Sequence, residues 1–202
     1  APEMCIRDRV CLTCSALALA ALPSGQARAE PNCGNAGTIT IAEMTWASAG
    51  MLPQVTQRIL QDGFGCDTAL QPGDTVPVAS SMLTRSQPDI APELWVSTAQ
   101  SVWDQMIAKG NVYKASNTYT EGGIEGWWVP DYMVEANPKL KSLTDLAANW
   151  KDFADPSNPE KGRFYGCPPG WGCEIISDNL FKALDLGKTF EVFSTGSGAV
   201  SY

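Results

Sequence analysis

Cys167 and Cys173 stand at the two ends of the segment Cys167-Pro168-Pro169-Gly170-Trp171-Gly172-Cys173, so two prolines, two glycines and one tryptophan lie between two thiols. Pairing of those thiols closes a short loop, worth about 2–3 kcal/mol in the chain-entropy treatment, and holds the Trp171 indole near the tip of a stiff turn. Glu174 and the apolar run behind it read as the start of a helix, so the loop also presents unpaired backbone N–H groups. An indole face attracts a cation through its quadrupole, and free amides at a helix start attract an anion. The same residues also suit a stapled turn whose tryptophan only packs in the core.

Other chemistry is poorly served. Histidine is absent, which removes the commonest general base and the commonest metal ligand. There is no phosphate-binding loop, no G-x-G-x-x-G and no nucleophile elbow. Glu174 falls in a first helical turn, where a carboxylate favours the helix dipole without any catalytic role. The chain therefore reads as a binding protein and not an enzyme, with no cofactor and no metal. Its net charge of −8 and the lack of a basic stripe exclude nucleic acid as a partner. What it does hold is seven tryptophans. Clustered indoles answer one recognition problem well, because a quaternary ammonium carries full charge yet donates no hydrogen bond, and aromatic faces attract it at roughly 0.5–2 kcal/mol per ring.

The N-terminus reads as a secretory leader over residues 1–29. Arg7 and Arg9 form a basic region, Val10 to Leu22 is an apolar stretch too short to span a bilayer, and Ala27-Arg28-Ala29 is a small-x-small cleavage site. Removing Arg7, Arg9 and Arg28 together with Glu3 and Asp8 leaves a net charge of −9. Cys5, Cys11 and Cys14 leave with the leader. The remaining four cysteines pair most economically as Cys33–Cys66 and Cys167–Cys173 in an exported protein. A four-cysteine zinc site is the rival, but it lacks paired C-x2-C spacing.

Several elements must position these residues. Thr38 to Trp46 predicts a buried strand, Met51 to Asp62 a helix stopped by Gly63 and Gly65, Cys66 to Leu70 a second strand, and Thr75 to Arg85 a segment helical in its second half. Asp89 to Ser97 predicts a third strand and Ser97 or Thr98 caps a helix to Lys109. Gly126 to Pro130 is strand-like. Ser142-Leu143-Thr144-Asp145 opens a helix whose stripe includes Trp150, Asp155 to Gly162 is a loop, and Arg163 to Cys167 a strand. Glu174 to Leu186 is a helix, and Phe190 to Thr195 a strand. Alternation of strand and helix argues for an α/β fold with mainly parallel sheet, whose ligands gather at the carboxyl ends of strands. Trp46 and Trp95 fall at such ends, where each also suits plain core packing. The second unit runs strand–helix–strand and stops, so the chain reads as truncated at its C-terminal end.

Gly166 to Glu174 (GCPPGWGCE), Ala91 to Val96 (APELWV), Ile41 to Trp46 (IAEMTW) and Gly73-Asp74-Thr75-Val76-Pro77 together resemble the glycine betaine/proline betaine/choline substrate-binding proteins of ABC importers, over residues 33–200. The resemblance implies a two-lobed periplasmic-binding-protein-like fold of type II. Residues 30–122 would form the first lobe, and residues 123–202 the crossover and an incomplete second lobe. It implies a ligand box with Trp171 as one wall and Trp95 as the facing wall, with Trp46 and Trp127 or Trp128 as further walls. The Gly172 and Cys173 amides would take a ligand carboxylate. Some relatives carry a histidine shortly after the first-lobe tryptophan, whereas Val-Ser-Thr-Ala follows Trp95, so betaine and choline both stay open. The implied protein is a monomeric periplasmic subunit that captures a quaternary ammonium compound and delivers it to permease subunits. An exported carbohydrate-binding module is the alternative, since indoles also stack on sugar faces. A periplasmic enzyme with its catalytic residues beyond Tyr202 is a third.

Overall fold

The computed structural model describes residues 32–194 and Gly196, so the secretory leader expected over residues 1–29 lies outside the described residues. The first half opens with strand β1 (Ile39–Met44), helix α1 (Ala47–Arg58) and strand β2 (Thr68–Gly73). β1 and β2 pair in parallel, from Ile39 opposite Thr68 to Met44 opposite Gly73. α1 begins four residues earlier than its apolar spacing predicts. Trp46 is its N-cap, and the Gly50 N–H bonds back to the Trp46 carbonyl. Its tail widens into a π-type turn at Ile59–Gly63. Helix α2 (Thr75–Arg85) is helical throughout, and α3 (Gln100–Lys109) follows a 3-10 turn at Val96–Ala99 and ends at Gly110 in the left-handed region. Ala42, Met44, Val78, Ala79, Met82 and Met106 form the core of this half. The Cys33–Cys66 disulfide ties the entry to β1 to the entry to β2.

The third strand expected over Asp89 to Ser97 does not form. It shrinks to one parallel bridge, Ile90 beside Ile41, in which Ile90 donates to the Thr40 carbonyl and accepts from Ala42. Pro92 stands where the next N–H of that ladder would have to be, and proline has none to give. Gly126 to Pro130 likewise makes no strand. It has no regular secondary structure and leads into a short helix, α4 (Asp131–Ala136), that the apolar pattern does not announce.

The second half holds a three-stranded mixed sheet in the order β3 (Ala154–Asp155), β4 (Asn158–Gly166) and β5 (Phe190–Ser194). β3 and β4 are antiparallel, and β4 and β5 parallel. Helix α5 (Leu143–Ala148) starts at Ser142, whose backbone N–H donates to Asp145 at 2.9 Å, so Asp fills the capping-box position usually taken by Glu. Helix α6 (Gly172–Ala183) carries Phe181 onto Leu146, Leu186 and Phe190, and Trp150 packs against the same cluster. The loop expected over Asp155 to Gly162 is instead a hairpin. The Asp155 side chain accepts from the Ser157 N–H and hydroxyl at 2.8 and 2.7 Å, an Asx-type turn that sends the polar residues after it up β4.

Asp155 is fully buried, and its carboxylate takes two donors from the Arg163 guanidinium. That pairing, helped by Ser157, holds the Asp155 carboxyl down to about 2. A folded-state value below the ordinary one means that the group stabilises the fold above roughly pH 4 and stops doing so as pH falls through about 2. Asp155→Asn is expected to melt below the parent at pH 6, and the gap should close as the two proteins are scanned down to pH 2. A gap independent of pH would show that the carboxylate charge contributes nothing.

Candidate functional site

The site is built at the carboxyl ends of β1 and β2, where a parallel sheet leaves backbone and side chains free to meet a ligand. The chain leaving β1 supplies Thr45 and Trp46; the chain leaving β2 supplies Asp74. Thr45 donates its hydroxyl to Asp74 at 2.6 Å. Asp74 is the N-cap of α2 yet makes no side-chain cap there, because its carboxylate is turned to Thr45 instead.

Onto this rim comes the stapled loop from the other half. Residues 168–171 form a turn closed by the Trp171 N–H and the Pro168 carbonyl, with Pro169 first and Gly170 at φ +90° second. That is the type II pattern, in which only the second central residue needs a positive φ. A side chain at Gly170 would also press on Asp74, at 3.2 Å from its Cβ. Glu174 reaches back to accept the Gly170 N–H at 2.9 Å, which accounts for its place in the first turn of α6. Cys167 and Cys173 are joined, bracketing the turn. Trp171 is the N-cap of α6, so the Gly172 and Cys173 N–H groups open the helix without intrahelical acceptors. The loop docks through Val76, which donates to the Gly170 carbonyl at 3.3 Å, and through the Trp171 indole N–H, which donates to Thr45 at 2.9 Å. The Trp171 and Trp46 rings meet edge to face, 5.2 Å apart and inclined at 74°.

Trp95 is not at a strand end, since its strand does not form. It precedes the 3-10 turn and points its indole N–H at Glu93, 2.9 Å away. The Trp46 indole N–H donates to the same Glu93 oxygen at 2.8 Å, Ser48 adds its hydroxyl at 3.2 Å, and the Tyr119 hydroxyl takes the other oxygen at 3.0 Å. Gly123 lies so close over the Trp95 ring that any side chain there would sit 2.4 Å from it. A groove of 720 Å³ opens beside Trp95 and is lined by Glu93, Tyr119 and Gly123 as well. Trp46 and Trp171 do not line it. They close on each other instead.

Trp46, Trp95, Trp171, Gly172 and Cys173 thus come together along one continuous seam. Trp127 does not join them: it packs on Phe164 and Phe181 in the second core, with its N–H given to Ser177 at 3.1 Å, and Trp128 is exposed. Sequence reasoning assigns no site role to Glu93, Thr45, Asp74 and Tyr119. Glu93 had a signal, a carboxylate in the middle of the apolar run Ala91 to Val96. Thr45 and Asp74 lie in stretches that carry the resemblance, but nothing in the sequence announces their pairing, which depends on which strands lie side by side. Among the described residues no cluster of three or more cysteine, aspartate or glutamate side chains could hold a metal ion, and no helix is long and apolar enough to cross a membrane.

Comparison with known proteins agrees with these motifs. Residues 37–201 match the substrate binding domain of ABC-type glycine betaine transport systems. The glycine betaine/proline betaine-binding periplasmic protein of Salmonella typhimurium is 30% identical over 101 residues, a match that covers 46% of this chain and 29% of that protein. The family match spans most of the chain and includes the rim, the Glu93 cluster and the stapled loop, so the chain belongs to the family of substrate-binding domains of ABC-type glycine betaine transport systems.

Proposed function

We propose that this chain captures a quaternary ammonium compound (glycine betaine, proline betaine or choline) for an ABC importer, as a monomeric periplasmic subunit that hands its ligand to the permease. Residues 30–122 belong to the first lobe, and residues 123–202 to the crossover and the second lobe, in a type II arrangement. The observation that supports the reading is the seam from Trp171 through Trp46 to Glu93 and Trp95, which joins three indoles and the start of α6 in one chain of contacts. The cationic headgroup belongs with the indoles. A ligand carboxylate, where there is one, belongs with the Gly172 and Cys173 amides. With Trp46 and Trp171 edge to face at 5.2 Å, a headgroup held between them must part the rings.

A carbohydrate-binding module is less well supported, since stacking on sugars calls for coplanar exposed rings. Here the two closest indoles are inclined at 74° and each spends its N–H on the protein. The test is a titration with glycine betaine, proline betaine and choline, read by tryptophan fluorescence and thermal melting. At a hundred times Kd the ligand should add about 2.7 kcal/mol, or about 5–10 °C in Tm for a chain of this size, and shift the emission as the ring pair opens. Unchanged emission and Tm with all three would refute the reading.

A further inference from the structure

Glu93 is 4% exposed, and four neutral donors converge on its carboxylate: the Trp46 and Trp95 indoles, Tyr119 and Ser48. Among the described residues none of the ion pairs involves it. Indole N–H groups only donate, so the oxygen between them serves as an acceptor for both. A buried charge is ordinarily matched by an opposite one, because hydrogen bonds from neutral groups solvate it without cancelling it. The result is a negative charge at the N–H edges of two indole rings and beside an open groove. Each N–H···O contact also pushes electron density into its indole, which makes the ring face a better partner for a cation.

We propose that Glu93 is the specificity-determining charge of this site. It fixes the orientation of the Trp46 and Trp95 rings, and it makes the seam select a cationic headgroup over an uncharged one of the same shape. The inference rests on the functional reading above and adds a residue and a role to it. A carboxylate kept only to orient the indoles could be replaced by an amide, whose carbonyl oxygen accepts the same two N–H bonds while its NH2 faces the Tyr119 oxygen. A carboxylate kept for its charge could not.

The experiment compares choline with its uncharged carbon isostere, 3,3-dimethylbutan-1-ol, in the full chain and in Glu93→Gln. The expected result is an about tenfold loss of choline affinity, as befits removal of a nearby charge in a partly desolvated site. Affinity for the isostere should be unchanged, and the near-UV circular dichroism of the indoles retained. Equal binding of choline by parent and variant overturns the proposal, and so does an equal loss for both ligands, which would make Glu93 a purely structural group. If Glu93→Gln does not fold, Glu93→Asp carries the test. It keeps the charge and must keep the preference for choline; loss of that preference overturns the proposal. If the parent binds neither choline nor glycine betaine, the functional reading falls and this inference with it, whereas a binding parent with an unaffected Glu93→Gln leaves the reading standing and removes only the role of Glu93.

Discussion

Trp171→Ala is expected to weaken binding of every quaternary ammonium ligand by at least about 30-fold, because a desolvated indole wall is worth about 2 kcal/mol or more and its loss also opens the site to water. The fold should survive. The specific contacts Trp171 gives to stability are an edge-to-face pair with Trp46 and a hydrogen bond to Thr45, together about 1–3 kcal/mol. The turn beneath it keeps its Gly170 conformation, its disulfide and its tie to Glu174 without the indole. The two effects are read separately, affinity by titration and stability by thermal melting of the unliganded chain. A variant that is largely unfolded, and whose folded fraction binds as before, would make Trp171 a core residue and return the stapled loop to a structural role. The contact with Thr45 adds a sharper comparison. Thr45→Val removes the acceptor of the indole N–H but leaves the ring, so a smaller loss there separates the aim of the wall from its presence.

The parts of this site that were legible in the sequence are those whose cause is local. Two cysteines six positions apart around Pro-Pro-Gly-Trp can make little but a tight loop, and Glu174 after them falls in the first turn of the helix that follows, as its place suggests. The strand–helix–strand rhythm around β1, α1 and β2 follows from apolar spacing in the same way. What was not legible depends on partners far away in the chain. Trp171 meets Thr45 across 126 positions, and nothing at either residue announces the other. The third strand is not legible as absent, because Ile90 to Val96 has the apolar content of a strand while Pro92 denies it a ladder. The hairpin of β3 and β4 looks like a loop in the sequence because Asn158 to Gly162 is polar, and its pairing is accompanied by the buried Asp155–Arg163 clamp and not by apolar alternation. Trp127 shows the opposite error. Its residue type suggested a ligand wall, while its neighbours Phe164 and Phe181 make it core. Residue type alone cannot distinguish an indole that faces a ligand from one that faces phenylalanine.

Gly172→Ala should damage binding nearly as much as loss of the indole, although it touches no aromatic ring. Gly172 is buried against the 3-10 turn that follows Trp95, and a Cβ built on it would stand 2.1 Å from the Thr98 hydroxyl oxygen and 2.3 Å from the Thr98 Cβ. The second of these atoms is fixed to the backbone and cannot swing away. The start of α6 must therefore retreat, and it carries Trp171 and the Gly172 and Cys173 amides with it, away from Trp46 and Trp95. A displacement of this kind, on the order of 1 Å, is enough to cost roughly 10- to 100-fold in a site that depends on placement. Alanine is the better helix former, and that gain opposes the overpacking cost of about 1–3 kcal/mol, so the melting temperature should fall less than the affinity. Thr98→Gly, which removes the obstructing atoms, should by itself be mildly harmful and should restore part of the binding lost in Gly172→Ala. Such non-additivity is the signature of two residues in direct contact. If the losses of the two single variants simply add in the double variant, the close approach of α6 to the turn after Trp95 does not govern the site, and the stapled loop acts through Trp171 alone.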